Sequence, residues 1–163
     1  MVNLIITLIS IALIAIVAVA ALYNGGDAFR QGSAKASAAQ LVNAGQQISA
    51  ANVLYANDHG GTYATELETL TLDSAYLSST PRVPQNYVVD ESLVHTKTLE
   101  DGSTSNVGNV VKIENAEASQ EICEAVNQQA GYGDEVILAD EAAVTLTFGC
   151  VGGDVGPTTF YFK

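Results

Sequence analysis

The sequence predicts an α+β fold. A long N-terminal α-helix packs on a globular head built around an antiparallel β-sheet, with a C-terminal region bounded by two cysteines. Three observations support this prediction. The first 26 residues carry no charged side chain and are almost continuously apolar. A helical pattern then continues to about Ala56. The rest of the chain alternates short strand-like runs with turn residues and one further helix.

The chain divides into an apolar helix (residues 1–26), the amphipathic half of the same helix (27–56) and the head (57–163). A run of about 20 apolar residues is long enough to cross the hydrocarbon core of a bilayer. No Lys or Arg precedes the run, and it is long for the core of a signal peptide. We interpret it as a membrane anchor or as the start of a mature chain whose leader has been removed. A cleavable secretory signal is the alternative.

The amphipathic half has one apolar face, on which residues recur at spacings of three and four: Leu41, Ala44, Ile48, Ala51 and Tyr55. A single helix over residues 2–56 would be about 80 Å long. Its first half is apolar all round, and such a helix must be buried in lipid or among copies of itself. Gly25 and Gly26 are its predicted weak point, because each glycine costs about 1 kcal/mol inside a helix.

The head is predicted to contain two short helical segments and several strands. The helical segments are Glu66–Leu72 and Ala116–Ala130, the second stopped by Gly131. A turn is expected at Glu100–Ser103. The predicted strands are Tyr87–Val89, Leu93–Leu99, Asn109–Ile113, Val136–Leu138, Val144–Phe148 and Thr158–Phe162.

Residues 27–163 carry the whole net charge of −12, nearly all of it in the head, because all 18 acidic residues follow Gly26 and only 6 basic residues oppose them. An acidic surface without a basic patch repels phosphates, so the isolated head is not expected to bind nucleic acid. The two cysteines, Cys123 and Cys150, would form one disulfide in a head translocated out of the cytoplasm. Closing this loop of about 28 residues would contribute about 3–4 kcal/mol. Two buried free thiols are the alternative.

No pattern of residues indicates catalysis or a bound metal or cofactor. His59 lies in a breaker sequence that ends the helix, and His95 lies in a strand pattern. The two histidines and two cysteines show no zinc-ligand spacing. The chain contains no nucleophile elbow, phosphate-binding loop or dinucleotide-binding motif. We therefore predict that the protein is not an enzyme.

The order of these parts, from an uncharged helix to a C-terminal cysteine pair, resembles a type IV pilin of the type IVb class. Gln120–Val126 is similar to the family's helix carrying the first cysteine, and Thr158–Lys163 to its closing strand. Gly61–Tyr63 is similar to the start of its loop after the long helix. The resemblance implies the pilin fold.

The resemblance also implies roles for residues of the apolar helix. Met1 would be the first mature residue, exposed by a prepilin peptidase and N-methylated. The family carries Glu at the fifth mature position, and its carboxylate pairs with the N-terminal ammonium of a neighbouring subunit. This chain has Ile5 instead. Asn3, Thr7 or a backbone carbonyl would then serve instead, or the amine would lie in a wetter place. The implied filament core comprises Asn3, Leu4, Ile5, Thr7, Leu8, Ile11, Ile14, Ala15 and Ala18.

The function implied is that of a structural subunit held in the inner membrane and then assembled with copies of itself into an extracellular filament. Its other partners would be the prepilin peptidase and the pilus assembly machinery. Such filaments serve adhesion, aggregation, motility, DNA uptake or secretion. One alternative is a type II secretion pseudopilin, which forms a short periplasmic filament. The other is a membrane-tethered binding domain that forms no polymer.

Overall fold

A computed structural model describes residues 2–72, 75–98, 104–116, 119–133, 136–152 and 157–163. The chain separates into two compact units, Met1–Ala34 and Lys35–Lys163. We call them the stalk unit and the head unit and describe each by itself. Helix α1 spans Val2–Asp58 and so begins in the stalk unit and ends in the head unit. The predicted turn at Glu100–Ser103 lies outside the described residues.

The head unit has an α+β architecture with two antiparallel sheets. Its strands are β1 (Tyr87–Val89), β2 (Val94–Thr98), β3 (Thr104–Gly108), β4 (Val111–Asn115), β5 (Phe148–Val151) and β6 (Thr158–Phe162). The four-stranded sheet has the order β1-β4-β6-β5, and β2 and β3 form a separate ribbon. Two further helices, α2 (Leu67–Thr71) and α3 (Gln120–Ala130), and a 3-10 turn (Glu141–Ala143) complete the unit.

One face of the four-stranded sheet packs against the last part of α1. Pairing of Ile113 with Phe160, and of Phe160 with Cys150, aligns alternate residues of three strands on this face. The predicted apolar face of the helix meets them there, since Leu41, Ala44, Ile48 and Ala51 are buried in the same core and Tyr55 packs against it. This interface forms the larger of the two cores of the head unit, and each large apolar side chain buried in it stabilises the fold by about 1.5–3 kcal/mol.

The helix and the sheet approach most closely at Gly45. A Cβ atom built on Gly45 would lie 3.0 Å from both Cβ and Cδ2 of Phe162 and 3.1 Å from Cε1 of Phe160. The absence of a side chain therefore sets the distance between α1 and β6.

A smaller second core covers part of the opposite face of the sheet. It contains Val110, Leu138, Val144 and Tyr161. Val110 directly precedes β4 and Tyr161 lies in β6, whereas Leu138 and Val144 belong to the segment between α3 and β5.

Several predicted elements differ from those observed. The strand expected at Asn109–Ile113 begins two residues later, as β4 (Val111–Asn115). Asn109 has a left-handed backbone conformation (φ 67°), which separates β3 from β4. The second helix begins at Gln120 rather than Ala116, since the backbone of Ser119 is not helical (φ −135°, ψ 58°). Gly131 ends it in the left-handed conformation, as predicted.

The two strands expected after α3 were also placed wrongly. Val136–Leu138 contributes only one bridge, between Leu138 and Val151. The strand expected at Val144–Phe148 lies instead at β5, because Val144 is buried in the second core and does not join the ladder. Both errors came from treating short apolar runs as strands when their side chains fill a core from a loop.

Candidate functional site

The most unusual surface of the described structure is the apolar part of the stalk unit. Residues Asn3–Leu22 form a 20-residue helical span without a charged side chain, and none of them is buried. We call this the apolar span. Its large side chains are more than half exposed, from 55% at Ile5 to 78% at Leu22. A span of this length and composition fits a membrane anchor or a signal segment.

The structure places the predicted filament-core residues on all sides of this span. Leu4, Leu8, Ile11 and Ile14 are exposed, as are the smaller residues that belong to the same predicted set, Ala15 and Ala18. Met1 lies outside the described residues. Water is a poor solvent for such a surface, which is larger than the apolar patches that soluble monomers tolerate.

The polar side chains of the span are held close to its backbone. The hydroxyl of Thr7 donates to the carbonyl oxygen of Asn3 at 2.6 Å, and that of Ser10 donates to the carbonyl oxygen of Ile6 at 2.9 Å. These bonds satisfy the hydroxyl hydrogens inside the helix, which lowers the cost of placing both residues in apolar surroundings.

The predicted weak point at Gly25 and Gly26 lies within the continuous helix α1. No atom outside the local helix lies within 4 Å of a Cβ built on either glycine. Lateral packing therefore does not require glycine at these positions, and their effect on helix stability stays a prediction.

The predicted disulfide between Cys123 and Cys150 is confirmed. The two sulfur atoms are 2.03 Å apart, and both residues are fully buried. The bond joins α3 to β5, so it closes the C-terminal region onto the main core.

Asn127 supports this disulfide and was not among the residues predicted to have a role. Asn127 is fully buried, and its Oδ1 accepts a hydrogen bond from the backbone N of Cys150 at 2.7 Å. Its Nδ2 donates to the carbonyl oxygens of Cys150 (2.9 Å) and Val136 (2.8 Å). The four-residue spacing from Cys123 places both side chains on one face of α3, and this spacing was the available signal.

An aromatic cluster at the end of α1 was also not predicted. The rings of Tyr55 and His59 are stacked, with centroids 3.8 Å apart, and Tyr76 meets Tyr55 edge-on at 5.4 Å. Nδ1 of His59 lies 2.8 Å from the carbonyl oxygen of Tyr55, and the hydroxyl of Tyr76 donates to Asp58 at 3.1 Å. Burial, followed by this bond to Asp58, raises the pKa of Tyr76. The cluster closes the helix end, in agreement with the interpretation of His59 as part of a terminating sequence.

The head unit also has an acidic groove with a volume of about 440 Å³. Its lining residues are Thr65, Glu66, Glu68, Asp90, Glu91, Ser92 and Val94. Nearby, Lys112 contacts Asp90 at 4.0 Å and forms a closer ion pair with Glu114. The hydrogen bond that Lys112 donates to Glu114 raises the pKa of Lys112. Among the residues that the structure describes, no three His, Cys, Asp or Glu side chains are arranged to hold a metal ion.

A comparison of the chain with protein-family models, with curated proteins and with solved structures finds no match. The residues themselves are therefore the basis for assigning a function.

Proposed function

We propose that this protein is a type IV pilin, a structural subunit that is held in a membrane by its apolar span and then assembles with copies of itself into an extracellular filament. The proposal includes the pilin fold and a role that is structural and not catalytic. The observation that carries it is the apolar span, with 20 uncharged residues and no buried position.

The physical argument starts from the free energy of that exposed surface. Burying one large aliphatic side chain is worth about 1.5–3 kcal/mol, and the span exposes twelve of them at more than half of their area. Outside a bilayer, such a helix is stable only if other apolar helices surround it. Identical helices can meet this need when they bundle, and a bundle that grows by repeating one contact forms a filament.

The head unit supports an extracellular location. Disulfides persist in oxidising compartments, and the bond between Cys123 and Cys150 is part of the main core. The net charge of −12 would keep heads soluble on the outside of such a filament.

The test is to express the full chain in a host with a pilus assembly system, shear the cell surface and examine the material by cryo-electron microscopy. We expect filaments whose centre is filled by residues 3–22 and whose outside is formed by heads. Recovery of the protein solely as dispersed membrane monomers would contradict the proposal. Filaments limited to short periplasmic assemblies would favour the pseudopilin alternative.

The acidic groove favours a second candidate, a membrane-tethered binding domain that forms no polymer. A groove lined by four carboxylates suits a cationic ligand presented near the cell surface. A soluble variant that lacks residues 1–26 distinguishes the two functions. A tethered binding domain would keep its ligand binding without this segment, whereas a pilin would lose assembly completely.

A further inference from the structure

The apolar span carries its few polar side chains on one side. Asn3, Thr7 and Ser10 are the polar residues between positions 3 and 22. Their spacings of four and three residues place them within about 60° of arc on an α-helix with 3.6 residues per turn. Ile5, Ala12 and Ile16 lie on the opposite side. We call the set Asn3, Thr7 and Ser10 the polar stripe.

The hydrogen bonds of the polar stripe divide it into donors and acceptors. Thr7 and Ser10 have already used their hydroxyl hydrogens on the carbonyl oxygens of Asn3 and Ile6. A hydroxyl in this state still has lone pairs and acts towards its surroundings as an acceptor. The side-chain amide of Asn3 is exposed and has two N–H donors. Within the described part of the chain, that amide forms no hydrogen bond.

We propose that the polar stripe is the contact face between neighbouring copies of the apolar span, with the Asn3 amide of one copy donating to the Thr7 or Ser10 hydroxyl of the next. This inference rests on the proposed function and specifies which side of the helix meets its partner. A lipid tail offers no hydrogen-bond partner, and an unpaired amide in apolar surroundings costs several kcal/mol. A second copy of this helix offers acceptors at the required positions.

The donor and acceptor positions also determine the relative position of the two copies. In parallel helices, pairing of Asn3 with Thr7 requires an axial offset of four residues, or about 6 Å, and pairing with Ser10 an offset of seven residues, or about 10.5 Å. Each copy then donates to one neighbour and accepts from another. Such a heterologous contact does not close on itself in a dimer and can continue into an open helical assembly.

The first test measures self-association of the full chain in detergent micelles by sedimentation equilibrium. Removal of the acceptor, by Thr7→Val for the offset of four residues or by Ser10→Ala for the offset of seven, should weaken association about threefold, the fold-change that corresponds to about 0.6 kcal/mol per interhelical hydrogen bond. Asn3→Leu removes the donor and should weaken association at least as much. The matched control Ile16→Val, on the opposite side, should change it less than twofold. Equal weakening by the control, or unchanged association of Asn3→Leu, would overturn the inference.

The second test locates the contact by oxidative cross-linking. The native cysteines, Cys123 and Cys150, are joined to each other, so the added cysteine supplies the free thiol for cross-linking. Asn3→Cys chains should form cross-linked dimers when mixed with either Thr7→Cys or Ser10→Cys chains, and a mixture of Ile5→Cys and Ala12→Cys chains should not. Dimers in the mixture of Ile5→Cys and Ala12→Cys chains alone would overturn this inference and leave the proposed function intact. A wild-type chain that remains monomeric at all concentrations would contradict both.

Discussion

Asn127 pairs with both backbone polar groups of Cys150, accepting a hydrogen bond from its N–H at 2.7 Å and donating one to its carbonyl oxygen at 2.9 Å. At this position of β5, the side-chain amide of Asn127 forms the two hydrogen bonds that the backbone of a neighbouring strand would otherwise form. Cys123, one helical turn earlier on α3, binds the same residue covalently. Two side chains of one helix thus hold Cys150, and Asn127 keeps its backbone satisfied at a fully buried position.

Asn127→Leu should destabilise the head by about 3 kcal/mol. The substitution keeps the volume of the side chain but leaves the N–H and carbonyl of Cys150 and the carbonyl of Val136 without this partner, and each buried unpaired group costs about 1–3 kcal/mol. Urea unfolding of the full chain in detergent, followed by circular dichroism, measures the effect. Gln129→Ala, an exposed position on the same helix, should change stability by less than about 0.5 kcal/mol. Similar effects of the two substitutions would show that the Asn127 bonds contribute little.

Replacing both Cys123 and Cys150 with Ala should lower the free energy of unfolding by about 3–4 kcal/mol. The disulfide closes a loop with a sequence separation of 27, and cross-linking a loop of this size restricts the unfolded chain. Thermal unfolding of the double variant measures the loss. Wild-type protein unfolded in the presence of a reductant provides the comparison and should approach the stability of the double variant. A double variant as stable as the oxidised wild type would contradict this prediction.

Gly45→Ala should destabilise the head by about 1 kcal/mol. The added methyl would meet Phe162 at 3.0 Å, and that contact includes the Cβ of a strand residue, which moves only with its backbone. Overpacking typically costs about 1–3 kcal/mol, and the better helix propensity of alanine returns about 1 kcal/mol. Asn43→Ala, at an exposed position of the same helix, gains propensity without the clash and should be neutral or stabilising. Stabilisation by Gly45→Ala would show that α1 and β6 separate easily.

Stability should fall as the pH rises above about 10. Burial, followed by the charge of Glu141, raises the pKa of Tyr161, and the hydrogen bond to Glu114 raises the pKa of Lys112. A folded-state pKa above the unfolded value means that the folded state binds its proton more tightly. The resulting stability is complete below the unfolded pKa values of about 10 and is lost as the pH rises through the folded values. Urea midpoints between pH 8 and pH 11 measure this decline.

Tyr161→Phe should make that decline less steep, because it removes one of the groups whose proton is lost. Tyr63→Phe, which removes the hydroxyl of an exposed tyrosine, is the matched control. A decline that is the same for Tyr161→Phe and the wild type would contradict the role of Tyr161.

Ile11→Lys should weaken membrane insertion. Ile11 lies near the middle of the apolar span, where a lysine costs about 2.5–3.5 kcal/mol on insertion scales. Alkaline extraction of membranes from expressing cells should release a larger fraction of the variant than of the wild type. Gln47→Lys adds the same charge at an exposed position of α1 in the head unit and should leave extraction unchanged. Equal extraction of Ile11→Lys and the wild type would argue against a membrane-spanning role for this segment.

The elements best predicted from the sequence are those with local signals. The apolar face of α1 followed from residues spaced by three and four, and Gly131 was correctly predicted to end α3. The strands Tyr87–Val89 and Thr158–Phe162 have the predicted bounds. The strands after α3 were misplaced because a short apolar run has the same pattern in a ladder and in a loop that fills a core.

Composition and local pattern by themselves determined that this chain has an uncharged 20-residue helix, an acidic head and a cysteine pair able to cross-link it. The tertiary structure alone decided that Asn127 holds Cys150, that Gly45 sets the distance between helix and sheet, and that four carboxylates from distant segments share one groove. The physical reason is the range of the interactions. Helix periodicity and hydropathy act between residues a few positions apart, whereas buried hydrogen bonds and close packing join residues that only the folded chain brings together.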